Sequence, residues 1–95
     1  MAEFQNYNNY CKVTGRLARQ DVVTLWPKQD TLLAAEVELM DLSALEFIDS
    51  SGIAFLFHLV EQQQQANKPL KLINPAEQLQ PLIALYNLQT LFSEA

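Results

Sequence analysis

The segment Phe47–Phe55, with the sequence FIDSSGIAF, constrains the fold of this chain more than any other stretch. Apolar residues flank a polar centre, which predicts the end of a buried strand, a tight turn and the start of a helix. Asp49, Ser50 and Ser51 carry side-chain oxygens that can accept hydrogen bonds from the free N–H groups of that helix start. Such a helix start also suits an anion, a phosphorylated side chain or a docking partner. The turn is therefore either a helix cap alone or a working surface.

Length, composition and charge limit the classes of function. With 95 residues, of which 49% are apolar, the sequence predicts one domain over residues 1–95 with a single core. The net charge of −5 argues against binding to nucleic acid and against direct electrostatic binding to anionic lipid. The single cysteine, Cys11, predicts a structural thiol and excludes an intramolecular disulfide. Neither a secretion signal nor a membrane-spanning stretch is recognisable, so we expect any action at a membrane to be indirect.

The hydrophobic pattern predicts alternating strands and helices. The predicted strands are one near Phe4, then Tyr10–Leu17, Glu36–Leu42 and Leu70–Ile73, and the predicted helices are Thr24–Ala35, Ser51–Asn67 and Ala76–Tyr86. Strand–helix–strand units predict parallel neighbours in an α/β fold. The strand Glu36–Leu42 is apolar on both faces, which is typical of a central strand with helices on both sides.

Prolines and asparagines set the expected helix boundaries. Pro27 fits a first helical turn but not a helix interior, so we place the start of the first helix near Thr24. By the same reasoning, Asn74 is expected to cap the last helix and Pro75 to open it. The apolar tail Leu88–Phe92 is expected to pack back on the domain.

The sequence carries no recognisable catalytic site, and we expect neither enzyme activity nor a cofactor. A glycine-rich phosphate loop is missing, and one histidine and one cysteine do not supply a metal site. His58 lies seven and eight residues beyond Ser51 and Ser50, or about 11–12 Å along a helix axis, too far to serve either hydroxyl as a base. We predict a structural or partner-contacting role for His58.

Two apolar features raise the question of an interface. The core stripe of the predicted central helix comprises Ile53, Leu56, Phe57 and Val60. Phe55 and Leu59 form a second apolar pair outside that stripe, which either a neighbouring helix or a partner protein must cover. Trp26, beside Pro27, is either a core residue or an interface anchor.

The element order and the turn Asp49-Ser50-Ser51-Gly52 together resemble the STAS domain family, over about Tyr10 to Phe92. The turn is similar to that of the bacterial anti-sigma factor antagonists, in which the serine after the aspartate is phosphorylated and the turn docks on a kinase. Ser50 is the matching position. The resemblance implies a STAS-like (anti-sigma factor antagonist-like) single α/β domain. Its sheet would be mixed and mostly parallel, with about four strands and three to four helices.

Three further strings resemble one branch of this family: Asp21–Trp26, Phe57–Val60 and Leu85–Leu88. Members of that branch are small non-catalytic subunits of an ABC transporter that moves phospholipid to keep the outer membrane asymmetric. The resemblance implies a cytoplasmic chain that binds and stabilises the transporter's ATPase subunit and reaches the inner membrane only through that complex. The interface predicted from the resemblance and the second apolar pair comprises Trp26, Asp49, Ser50, Ser51, Phe55 and Leu59. The alternative is an antagonist-type switch, in which phosphorylated Ser50 is the off state.

Overall fold

A mixed sheet with helices against one face forms the fold of residues 1–88, which the structure, a computed structural model, describes. The strands are β1 (Glu3–Tyr7), β2 (Tyr10–Leu17), β3 (Leu39–Asp41), β4 (Leu45–Ile48) and β5 (Lys71–Ile73). The helices are α1 (Arg19–Leu25), α2 (Ser50–Gln65) and α3 (Gln80–Leu85), with 3₁₀ helices at Trp26–Thr31 and Glu77–Leu79. The predicted α/β class is confirmed.

One antiparallel hairpin is extended by parallel strands. β1 pairs with β2 through the turn Asn8-Asn9, and Asn8 has a φ of 47°, a left-handed conformation that asparagine tolerates. β3 pairs with β2, and β5 pairs with β3, both in parallel, so the order is β1-β2-β3-β5. The sheet is therefore mixed and mostly parallel, as predicted.

The predicted strand Glu36–Leu42 is shorter than expected, and a separate strand follows it. β3 pairs with Tyr10–Lys12 and β4 with Gly15–Leu17, so the two short strands follow one another along β2. The register shifts between Gly15 and Arg16. A turn separates β3 from β4. It is stabilised by the Ser43 N–H, which donates to Asp41 Oδ1 at 2.9 Å. The strand that leads into the Asp49 turn is thus β4.

Helices cover only one face of the sheet, which corrects the expectation of helices on both sides. Val13 and Met40 point to the covered face and are 0% exposed. Their neighbours Lys12 and Asp41 lie opposite each other across β2 and β3, and neither is buried. On this side Leu72 and Leu42 share a small apolar cavity with side chains of α2 and α3.

The prediction of a first helix at Thr24–Ala35 is wrong, because α1 begins and ends earlier. Asp21 accepts the Ala18 N–H at 2.9 Å, which satisfies an N-terminal amide of a helix that starts at Arg19. Pro27 lacks an N–H and cannot continue the α-helical hydrogen bonds, so α1 ends before it. Pro27 instead opens the 3₁₀ helix. Proline does occupy a first turn, but of a different helix.

The other two helices agree with the prediction to different degrees. α2 matches the predicted Ser51–Asn67 within two residues, and Asn67 follows it with a φ of 60°. The last helix begins later than predicted, because Asn74 forms a left-handed turn with a φ of 51° and does not act as an N-cap. Leu88 is buried, whereas residues 89–92 of the predicted apolar tail lie outside the described residues.

Candidate partner-binding site

The carboxylate of Asp49 joins the N-termini of two helices. Asp49 is the N-cap of α2, and its Oδ1 accepts the Gly52 N–H at 2.9 Å. Its Oδ2 accepts the Arg19 N–H, in the first turn of α1, at 3.1 Å. Because helix N-termini carry partial positive charge, one negative group stabilises both helix starts. Asp49 therefore fixes α1 and α2 relative to each other.

Gly52 lets the start of α2 approach the end of β2 closely. A Cβ atom at this position would overlap the carbonyl oxygen of Leu17 and would lie 2.6 Å from Ile48 Cγ1. The Asp49 N–H also donates to Leu17 O, at 3.4 Å. These backbone contacts hold the turn against β2, so its side chains have a defined position.

The two serines of the turn differ in exposure. Ser50 is the first residue of α2 and is exposed, whereas Ser51 is half-buried. The cap comes from Asp49, so the Ser50 hydroxyl is not needed to start the helix. Ser50 is accessible to a partner or to a modifying enzyme.

One side of α2 borders an open groove of about 430 Å³. We call the residues of α2 on this side, Ser50, Ala54, Phe57, His58 and Glu61, the α2 outer face. Tyr86, which follows α3, lines the opposite wall of the groove. Phe57 is 44% exposed and Tyr86 46% exposed, so the groove presents aromatic rings to solvent.

Trp26 lies beside the α2 outer face. The residue is 47% exposed, and the centroid of its ring is 4.6 Å from that of His58 and 6.1 Å from that of Phe55. His58 Nε2 donates a hydrogen bond to Gln29 Oε1 of the 3₁₀ helix. The side chain of Trp26 is thus held at the surface, partly exposed and not in the core.

The structure places Phe55 and Leu59 in the core, where each is 1% exposed. The ring of Phe55 packs edge-on against Phe4 of β1, with centroids 6.5 Å apart, and also contacts Trp26. Neighbouring elements therefore cover this pair. Because α1 starts early, α1 and the 3₁₀ helix that follows it lie over the side of α2 that carries Phe55 and Leu59. The expectation that Phe55 and Leu59 lie on a partner-facing surface is wrong.

Phe57 and Tyr86 are the site residues that the sequence reasoning missed. The hydrophobic period predicts Phe57 in the core stripe, yet it is among the exposed large apolar residues. The spacing of Ala54, His58 and Glu61, at i, i+4 and i+7, marks the outer face of α2 and could have identified the correct side.

Two potentially reactive side chains, Cys11 and Asp21, are buried inside the fold. Burial raises the pKa of the Cys11 thiol to about 11, so it is protonated at neutral pH. The Ala18 N–H bond and the bond from Arg16 lower the pKa of Asp21, which is an ion-pair partner inside the fold.

Residues 1–88 hold no group of three His, Cys, Asp or Glu side chains that could bind a metal ion. In the same range, no helix has the length and apolar character to span a bilayer.

Comparisons of sequence give two findings. Residues 9–93 match the protein family described as "Mlab, STAS domain". The intermembrane phospholipid transport system binding protein MlaB of Haemophilus influenzae is 32% identical over 79 residues, which span 78% of this chain and 75% of that protein. The branch predicted from the strings at Asp21–Trp26, Phe57–Val60 and Leu85–Leu88 is the MlaB branch.

Comparisons of structure identify the same fold. The anti-sigma factor antagonist SpoIIAA in its unphosphorylated form has a TM-score of 0.66 and is 16% identical, covering 100% of this chain and 89% of that chain. The phosphorylated form of SpoIIAA from Bacillus also has a TM-score of 0.66, with 17% identity, and covers 100% of this chain and 91% of that chain. At this level of identity the likeness concerns the fold, and it confirms the predicted anti-sigma factor antagonist-like architecture.

Proposed function

Because the chain belongs to the STAS domain family, in the group described as Mlab, we propose that it is a binding subunit of a phospholipid ABC transporter. In this role it binds and stabilises the ATPase subunit and carries out no chemistry itself. The name of the Haemophilus influenzae relative, a binding protein of an intermembrane phospholipid transport system, supports the choice of system. The cytoplasm is the expected location, with attachment to the inner membrane through the complex.

The half-exposed Trp26, packed against His58 beside the α2 outer face, is the observation that carries this proposal. Tryptophan at a protein surface is enriched among the residues that dominate binding energy. Phe57 and Tyr86 extend the same apolar surface along the groove. Since burial of exposed aromatic area drives association, this surface suits a stable protein partner.

The test is the affinity of the purified chain for the purified ATPase subunit. Trp26→Ala is expected to weaken binding by about 30-fold, the effect of losing about 2 kcal/mol at a hot spot. Tyr7→Ala is the matched control, because Tyr7 is 45% exposed and stacks on Tyr10 in the hairpin. Thermal melting verifies that both variants are folded. If Trp26→Ala binds the ATPase subunit as tightly as Tyr7→Ala and the wild type do, the interface lies elsewhere.

Ser50→Glu tests the same surface at the turn. A glutamate in the first turn of α2 is favourable for the helix, so the fold should be retained. The added charge must be desolvated in an apolar interface and is repelled by neighbouring Asp49, so the ATPase complex should weaken. Ser50→Ala, which adds no charge, should bind as the wild type does. If Ser50→Glu also binds as the wild type does, the turn does not contact the ATPase.

A phosphorylation switch at Ser50 is the second candidate function, favoured by the exposure of Ser50 at the start of a 16-residue helix. A phosphate there would gain from the free N–H groups of the helix but would introduce charge at the docking surface. Mass spectrometry of the chain from its native cells tests this function. Stoichiometric phosphate on Ser50, removed when an adjacent kinase gene is deleted, supports the switch. An unmodified Ser50 under all growth conditions contradicts it.

A further inference from the structure

A second open groove, of about 400 Å³, lies on the other side of the Asp49 turn. Its walls are formed by Arg16, Ala18, Arg19, Gln20, Phe47 and Asp49. We call it the Arg19 groove. Ser50 lines the groove at the α2 outer face, whereas Asp49 lines the Arg19 groove, so the two surfaces meet at one turn.

The carboxylates beside the Arg19 groove are already compensated by backbone donors. Asp49 accepts the N–H groups of Gly52 and Arg19. Asp21 is 3% exposed and accepts the Ala18 N–H as well as a bond from Arg16 Nε. Both carboxylates lie at helix N-termini, where the partial positive charge of the amides offsets their own.

The two guanidinium groups keep unused hydrogen-bonding capacity. Arg16 bonds to Asp21 through Nε alone, and its side chain is 56% exposed, which leaves its outer N–H groups to solvent. Within residues 1–88 the Arg16–Asp21 pair is the one salt bridge, so Arg19 has no carboxylate partner there. Exposed guanidinium groups bind carboxylates in a two-point geometry. The Arg19 groove can therefore bind an anionic group.

An exposed ring adds an apolar element to this anionic preference. Phe47 is 49% exposed, although β4, on which it lies, carries the buried residues Leu45 and Ile48. A ligand that covers this ring must bring an apolar side chain next to its anionic group. A peptide segment does so, whereas an inorganic phosphate does not.

We propose that the Arg19 groove binds an acidic segment of the ATPase subunit, with a carboxylate on Arg19 and Arg16 and an apolar side chain on Phe47. The choice of partner rests on the proposed function. In a chain with 11 acidic and 6 basic residues, this groove holds two arginines three positions apart, so an acidic segment is steered to it. An extended anionic membrane surface would face the net charge of −5 of the whole chain, whereas a short acidic segment meets mainly the charges lining the groove.

The first test compares charge reversals in binding to the purified ATPase subunit. Arg19→Glu is expected to weaken binding about tenfold, with a smaller difference at higher ionic strength. Lys68→Glu makes the same charge change at an exposed residue beyond the end of α2 and should leave the affinity nearly unchanged. Phe47→Ala should weaken binding without altering its salt dependence. If Arg19→Glu behaves like Lys68→Glu, the proposal is wrong.

The second test identifies the occupant of the groove. A photo-crosslinking phenylalanine analogue at Phe47 should attach to an ATPase peptide that contains Asp or Glu. Attachment to a segment without acidic residues contradicts the proposal, as does binding of the free chain to phosphatidylglycerol vesicles that Arg19→Glu abolishes. If Trp26→Ala weakens the complex and Arg19→Glu does not, the proposed function stands and this inference fails. If neither variant weakens it, this inference fails and the ATPase interface lies elsewhere on the chain. If the wild-type chain does not bind the ATPase subunit at all, both the proposed function and this inference fail.

Discussion

At the scale of single residues, Asp49 holds the starts of α1 and α2 together. Both of its carboxylate oxygens accept backbone N–H groups, one from α1 and one from α2. Ser50, beside it, is exposed and is not the cap. The two residues of the turn therefore differ in role: Asp49 fixes the two helices, and Ser50 is the surface group that a partner can reach.

Asp49→Ala is expected to lower the free energy of unfolding by about 2 kcal/mol, because two helix N–H groups lose their acceptor. Ser50→Ala, a surface substitution next to it, should change that free energy by less than about 0.5 kcal/mol. Urea unfolding of both variants gives the comparison. Asp49→Asn, which keeps one amide oxygen, should fall between them. Equal losses for Asp49→Ala and Ser50→Ala would mean that the serine hydroxyl is also a cap.

The sequence could identify this turn but not the roles of its members. Asp49, Ser50 and Ser51 are all good N-cap residues, so local preference does not choose among them. The choice follows from Gly52, whose missing side chain allows α2 to start where the backbone meets Leu17. The bond from Arg19 N–H to Asp49 spans 30 residues and leaves no local signal in the sequence.

At the scale of elements, α2 was predictable because several local signals agree. α2 has a long apolar period, begins after a polar N-cap and is followed by Asn67 in a left-handed conformation. The first helix was misplaced because Pro27 signals the first turn of a helix without specifying which kind. Because the position of α1 decides which side of α2 is covered, the wrong bounds of the first helix also give the wrong side of α2 for the predicted interface. The hydrophobic period was visible in the sequence, whereas the identity of the open side depends on tertiary packing.

Gly52→Ala tests the contact between α2 and β2. Alanine has the higher helix propensity, so an isolated helix would gain stability from this change. In the fold, the added Cβ would overlap Leu17 O and crowd the Ile48 side chain. We expect a net loss of about 1–3 kcal/mol in the free energy of unfolding, as for other overpacked sites. Ser51→Ala, in the same helical turn, is the control. Stabilisation by Gly52→Ala would contradict the close approach.

At the scale of the whole molecule, the helices and the site share one side of the sheet. The other face of the sheet carries Lys12 and Asp41 across from each other and no helix among the described residues. The α2 outer face, Trp26 and the Arg19 groove all border α1 or α2. A single partner can therefore contact both grooves around the Asp49 turn while leaving the open sheet face in solvent.

Hydrogen exchange of the chain, free and bound to the ATPase subunit, tests this division of the surface. The 3₁₀ helix Trp26–Thr31 contains no buried residues, so its amides should exchange early in the free chain. Binding at Trp26 and the α2 outer face should slow exchange there and in the first half of α2, and leave β1 and the Asn8-Asn9 turn unchanged. The Trp26→Ala chain at the same ATPase concentration should show weaker protection of the same segments. Protection of the hairpin without protection of α2 would instead make the open sheet face the docking surface, because exchange slows where a partner excludes solvent or stabilises local structure.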